Sequence, residues 1–197
     1  MNDSEPPVGQ PDLPASIQRL VLTGFMGSGK TTIGRLLGTR LGWRFVDLDE
    51  EIERQVGRTI AEIFAQSGEP AFRHLETEAL RSSLRDSRVV IALGGGAVET
   101  QANLDLLAKS DGTLAILLTA AFDTLYERCL RQTLNPKSAV RPLLGDPISA
   151  AERLARRNAL YQSVAGLIVN TSGQTPRETT ETILQSLKTP LPPKLSS

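Results

Sequence analysis

The sequence is short of the side chains that most often mark a disulfide framework, a zinc site or a nucleic-acid surface. It holds one cysteine, Cys129, so no intramolecular disulfide can form and a thiolate zinc site lacks ligands. That usage suits a reducing, cytoplasmic setting, and Cys129 reads as a helix packing residue. The single histidine, His74, stands beside Arg73 and reads as a surface group, not a catalyst. Lysine and arginine total 22 and so do aspartate and glutamate, which leaves a formal net charge of zero. Nothing global therefore argues for nucleic acid or an anionic membrane as a partner, and any basic patch has to be local. No apolar run approaches the roughly 20 residues that span a bilayer. Residues 1–15 lack both the basic start and the apolar stretch of a signal or transit peptide, so neither is expected.

What is present is an alternation of strand and helix signals, the pattern of a parallel α/β sheet. Apolar runs at 20–23, 89–93, 114–118 and 167–169, with 43–46, read as strands. The run 89–93 is continuously apolar, as a strand buried on both faces requires. Helical patterns fill 30–40, 50–56, 59–67, 69–84, 101–109, 121–131, 147–163 and a closing segment from Pro176, with Gly57 and Gly68 as stops. Trp43 reads as a cover over apolar surface at the start of its strand. Residues 1–16 and 188–197 are Pro-rich and polar and read as flexible tails; residues 17–187 read as one domain. Between 132 and 146, Asn135-Pro136-Lys137 and Arg141-Pro142 oppose regular structure, and an irregular stretch of that length is expected to be a lid. In an open sheet of this kind ligands sit at the carboxyl ends of the strands.

Three segments follow such ends. The first is Gly24-Phe25-Met26-Gly27-Ser28-Gly29-Lys30-Thr31, which has the spacing of a phosphate-binding loop between a strand and a helix. Its glycines let backbone N–H groups turn toward phosphate oxygens, the helix that follows offers its positive end, and Lys30 and Thr31 add a charge and a Mg²⁺-binding hydroxyl. The second is Asp47-Leu48-Asp49. Two acids one residue apart on an extended segment share a face and can divide the work of holding Mg²⁺ and orienting a hydroxyl. They can equally be a helix N-cap and its first-turn acid. The third is Gly94-Gly95-Gly96, either a sharp turn or a place where backbone approaches a ligand. Arg73 and Glu76, three apart on a helix, can present a braced guanidinium to a carboxylate; read in isolation, an ordinary exposed ion pair is the better account. Arg141 in the lid segment can bring charge to a transition state. Arg128, Arg131, Arg141, Arg156 and Arg157 together suggest a local anion pocket in a neutral protein.

Taken in order, Gly-Phe-Met-Gly-Ser-Gly-Lys-Thr-Thr, Phe-Val-Asp-Leu-Asp, Phe-Arg-x-x-Glu, Gly-Gly-Gly, Arg-Pro-Leu-Leu and Arg-x-x-x-Tyr make the chain resemble the shikimate kinase family from about residue 19 to 187. The resemblance implies a fold of the nucleoside monophosphate kinase type, a five-stranded parallel sheet of order 2-3-1-4-5 with helices on both faces and a lid. It implies ATP- and Mg²⁺-dependent phosphorylation of the 3-hydroxyl of shikimate. Carried over residue by residue, it assigns ATP to Gly27, Ser28, Gly29, Lys30, Thr31, Thr32, Arg128 and Arg141, with Arg131 a rival to Arg128 at the adenine. It assigns Mg²⁺ to Thr31 and Asp47. Shikimate falls to Asp49, Arg73, Glu76, Gly94, Gly95, Gly96 and Arg157, and catalysis to Lys30, Asp49 and Arg141. The expected protein is a cytoplasmic monomer whose partners are ATP and shikimate. A gluconate-type kinase of the same fold, or a silent nucleotide-binding regulatory module, is the alternative.

Overall fold

The computed structural model describes residues 13–133 and 146–188. The expected lid is described only at its ends, and Arg141, like most of both expected tails, lies outside the described residues. Leu13 packs against the core, and Ile17 N donates to Pro14 O at 2.8 Å, so the entry to the first strand is a closed turn.

The strands are β1 (Arg19–Thr23), β2 (Arg44–Asp47), β3 (Val89–Ala92), β4 (Thr113–Thr119) and β5 (Leu167–Asn170). They form one parallel sheet in the order β2-β3-β1-β4-β5. Between them run α1 (Lys30–Leu41), α2 (Leu48–Val56), α3 (Ile60–Ser83), α4 (Gln101–Ala108), α5 (Phe122–Thr133) and α6 (Pro147–Val164), and α7 (Pro176–Leu187) closes the chain. Strand alternation explains the two large cores. Val21, Ile91 and Val46 face α2 and α3, whereas Leu20, Leu22, Val90 and Ile116 face α1 and α7. Helix starts follow the sequence. Thr175 and Glu178 form a capping box at α7, and Asp146 caps α6 with Pro147 in its first turn.

Two local readings change. The helical stretches expected at 59–67 and 69–84 are halves of α3, broken at Gly68, where φ is 77° and ψ is 173°. A glycine in that conformation interrupts the helix without ending the run, a distinction periodicity does not carry. A short 3₁₀ turn, Ala97–Glu99, follows the triple glycine; nothing in its composition announced it.

Register sets the crevice. Leu22 and Asp47 both pair with Ala92, so β1, β2 and β3 end on one row. Two residues beyond that row the chain reaches Gly24, Asp49 and Gly94. The three segments singled out above therefore leave the sheet side by side.

Candidate active site

The phosphate loop is built on close approach. Gly27 has φ of 75°, and a Cβ there would run into the Leu125 carbonyl oxygen and Cys129 Sγ of α5. Cys129 is buried, as a packing residue should be. Gly29 ends the loop in a left-handed conformation with no side-chain cap on α1, so the first N–H groups of that helix are directed at the loop's mouth. Lys30 Nζ lies 2.7 Å from Gly24 O and 3.0 Å from Phe25 O. Ser28 is buried under the loop, and Thr32 is exposed at the start of α1.

Asp47 joins this loop to the next segment. Its Oδ2 accepts from Thr31 Oγ1 at 2.7 Å, and its Oδ1 accepts from Asp49 N at 3.1 Å. Asp47 thus caps α2, and Asp49 sits in the helix's first turn, the second of the two arrangements the spacing left open. Capping does not compete with the other role, because one carboxylate oxygen serves the helix and the other the loop. Thr31 and Asp47 are hard oxygen donors at the mouth of a phosphate loop. That donor set fits Mg²⁺, which keeps several waters and takes its remaining ligands from substrate phosphates. Among the described residues no group of three or more His, Cys, Asp or Glu could hold a metal by itself.

The triple glycine is the floor of the second half. A Cβ at Gly94 would lie 2.9 Å from both Asp49 Oδ1 and Glu76 Oε1. A Cβ at Gly96 would lie 2.7 Å from Arg73 Nη2 and 3.2 Å from Arg157 Nη2. Two carboxylates thus converge over one glycine and two guanidinium groups over the other. Tyr161, pushed up to about 12 mainly by burial, stays protonated and donates to Gly95 O at 2.5 Å, fixing the turn between them.

Arg73 and Glu76 do not form the exposed pair that spacing alone favoured. Arg73 Nη1 meets Glu76 Oε2 at 3.0 Å with side-chain exposures of 20% and 1%. Burial pushes the Glu76 carboxyl up to about 7 against the pull of Arg73, with Asp49 adding to the rise. Its Oε1 is buried and accepts no hydrogen bond among the described residues. Arg73 is also tied to Glu69 at 2.9 Å and stacks over Phe72. Arg157, from α6, is buried, whereas its neighbour Arg156 is exposed. His74 is exposed.

On the far side Arg128 donates to Thr171 Oγ1 and O at 2.9 and 2.8 Å, at the exit of β5. Arg131 is 80% exposed and faces Glu127 at 3.8 Å. Sequence reading missed Glu99, which reaches Arg157 from 58 residues away; it belongs to no motif and gave no signal.

A phosphate loop after the central strand of a sheet in this order defines a P-loop kinase fold. A family model described as shikimate kinase matches residues 26–188. A shikimate kinase of Geobacter metallireducens is 43% identical over 164 residues, covering 82% of this chain and 87% of that protein. The structure of the Acinetobacter baumannii shikimate kinase in complex with shikimate matches with a TM-score of 0.79 at 33% identity, covering 88% and 94% of the two chains. A gluconokinase from Sinorhizobium meliloti, 18% identical with a TM-score of 0.57, shares the fold alone. The chain belongs to the shikimate kinase family.

Proposed function

We propose that this protein transfers the γ-phosphoryl group of ATP to the 3-hydroxyl of shikimate, giving ADP and shikimate 3-phosphate on the way to chorismate and the aromatic amino acids. The observation that carries the reading is the convergence of Arg73 and Arg157 over Gly96, beside Asp49 and Glu76 over Gly94, in the crevice that the phosphate loop opens. Two guanidinium groups suit a carboxylate, and an acid beside them suits ring hydroxyls.

The loop amides of Gly27, Ser28, Gly29, Thr31 and Thr32 cradle the phosphates, and Lys30 leaves its two loop carbonyls to pair with them. Thr31 and Asp47 would hold Mg²⁺, which would supply positive charge to the phosphates when bound. Asp49 binds ring hydroxyls and takes the proton of the attacking one. Arg73 and Arg157 hold the carboxylate, Glu76 braces Arg73, and the Gly94–Gly96 backbone lies against the ring. Arg128 is the adenine-side arginine in preference to Arg131, a choice supported by its fixed place beside Thr171. Arg141 covers the transferring phosphate, a role resting on its Arg-Pro-Leu-Leu motif.

Residues 17–187 act as one kinase domain with a lid, in the cytoplasm and as a monomer. The single cysteine supports the compartment. A coupled ADP-release assay with shikimate and gluconate side by side tests the proposal. Turnover with shikimate is expected; turnover with gluconate alone, or ATP binding without turnover, overturns it.

A further inference from the structure

Glu99 ends the 3₁₀ turn after the triple glycine, and its Oε2 accepts from Arg157 Nη2 at 2.6 Å. The same oxygen lies 3.9 Å from Arg73 Nη2. A carboxylate between these two arginines stands where the carboxylate of an acid substrate belongs. We propose that Glu99 is an internal occupant of the acid subsite: its carboxylate holds the arginines when no acid is bound, and the substrate's carboxylate binds by displacing it. The inference rests on the acid-substrate reading given above.

Charge compensation shows why the two anions exclude each other. Arg73 already has Glu76 and Glu69. Arg157 has Glu99 as its carboxylate partner, is 93% buried by its 7% exposure, and keeps an Nε with no hydrogen-bond partner among the described residues. A second carboxylate arriving with Glu99 in place would set two anions against one desolvated cation, which like-charge repulsion opposes. Solvation shows which anion leaves. The Glu99 side chain is 35% exposed and regains water by turning outward, whereas Glu76 is enclosed and cannot. An incoming anion therefore has to outbid Glu99. A small carboxylate that lacks hydroxyls for Asp49 and a ring for the glycine floor lacks the contacts to do so, and the competition acts as a filter for the full substrate.

Glu99→Gln tests this, since the amide keeps the size and a hydrogen-bond acceptor while losing the charge. Calorimetry with shikimate is expected to show binding tightened about five-fold, ~1 kcal/mol at the usual conversion. KM for shikimate should fall in parallel, with kcat and KM for ATP unchanged. The uncharged methyl ester of shikimate should bind both proteins alike. Were Glu99 instead a support that aims Arg157, the variant would bind shikimate more weakly and Glu99→Asp would restore part of the loss; that result overturns the proposal, as does equal affinity. Wild-type protein that binds shikimate without phosphorylating it defeats the proposed function and leaves this inference standing. A variant that binds no tighter than wild type, in an enzyme that turns over shikimate, does the reverse.

Discussion

Lys30 and Glu76 are both polar groups at the site, and their surroundings give them opposite liabilities. Lys30 rests on two backbone carbonyls of its own loop, contacts that contribute little to folding and can be exchanged for phosphate oxygens. Lys30→Ala should therefore lower kcat by about 10²–10³, the range for removing one stabiliser of developing charge. Its stability, read by urea unfolding, should change by less than about 1 kcal/mol; a comparable loss of both would make the lysine structural. Glu76 is the reverse case. Its ordinary pKa of 4.5 is raised to about 7, first by burial and against the pull of Arg73. Between those values the folded protein holds a proton that the unfolded chain has released, so stability falls as pH rises through the window. The effect is at most about 3 kcal/mol. Glu76→Gln, neutral throughout, should remove this contribution. The comparison is the urea midpoint of both proteins at pH 5 and pH 7.5, and a slope equally steep in the variant would place the titrating group elsewhere.

Elements matter here for where they end. The turn after β3 is held by Tyr161 from α6 and by the two arginines that crowd Gly96. Gly96 has φ of −102°, which alanine adopts freely, so Gly96→Ala adds a methyl group without backbone strain. That methyl would sit against the tips of long side chains, which can move. The fold should survive, the guanidinium groups should shift, and KM for shikimate should rise roughly ten-fold with KM for ATP unchanged, since misplacing a binding group weakens the ligand it positions. A rise in both constants would show that the turn supports the phosphate loop as well. The same elements show how far the sequence could be read. The phosphate loop, the strands and the helix starts at Pro147 and Pro176 were legible, because each is set by residues within about one helical turn of one another. Two features were not, and a third was left open. Burial of the Arg73–Glu76 pair depends on α3 lying against β3, which an i,i+3 spacing does not encode. The Asp47–Asp49 spacing fitted a strand face and a helix N-cap equally, and the cap is what forms. The contact of Glu99 with Arg157 joins α6 to the turn after β3, and no local pattern foretells a partner 58 residues away.

Over the whole molecule, the sheet register that ends β1, β2 and β3 on one row makes the proposed nucleotide and acid ends parts of a single frame. Thr31 reaches Asp47 at 2.7 Å, and Asp47 reaches the backbone of Asp49 at 3.1 Å, so hydrogen bonds between protein groups join the loop to α2. Removing divalent metal with a chelator should therefore stop turnover and leave the unfolding midpoint of the ligand-free protein where it was. Adding ATP with Mg²⁺ should raise that midpoint, because mass action adds about 2.7 kcal/mol of stability at a hundred times Kd, and the chelator should abolish most of this gain. Thermal unfolding in the four combinations of nucleotide and chelator reads both effects. A drop in the ligand-free midpoint on chelation would mean that the metal is part of the fold, and the hydrogen bond from Thr31 to Asp47 could not then be what joins the two segments.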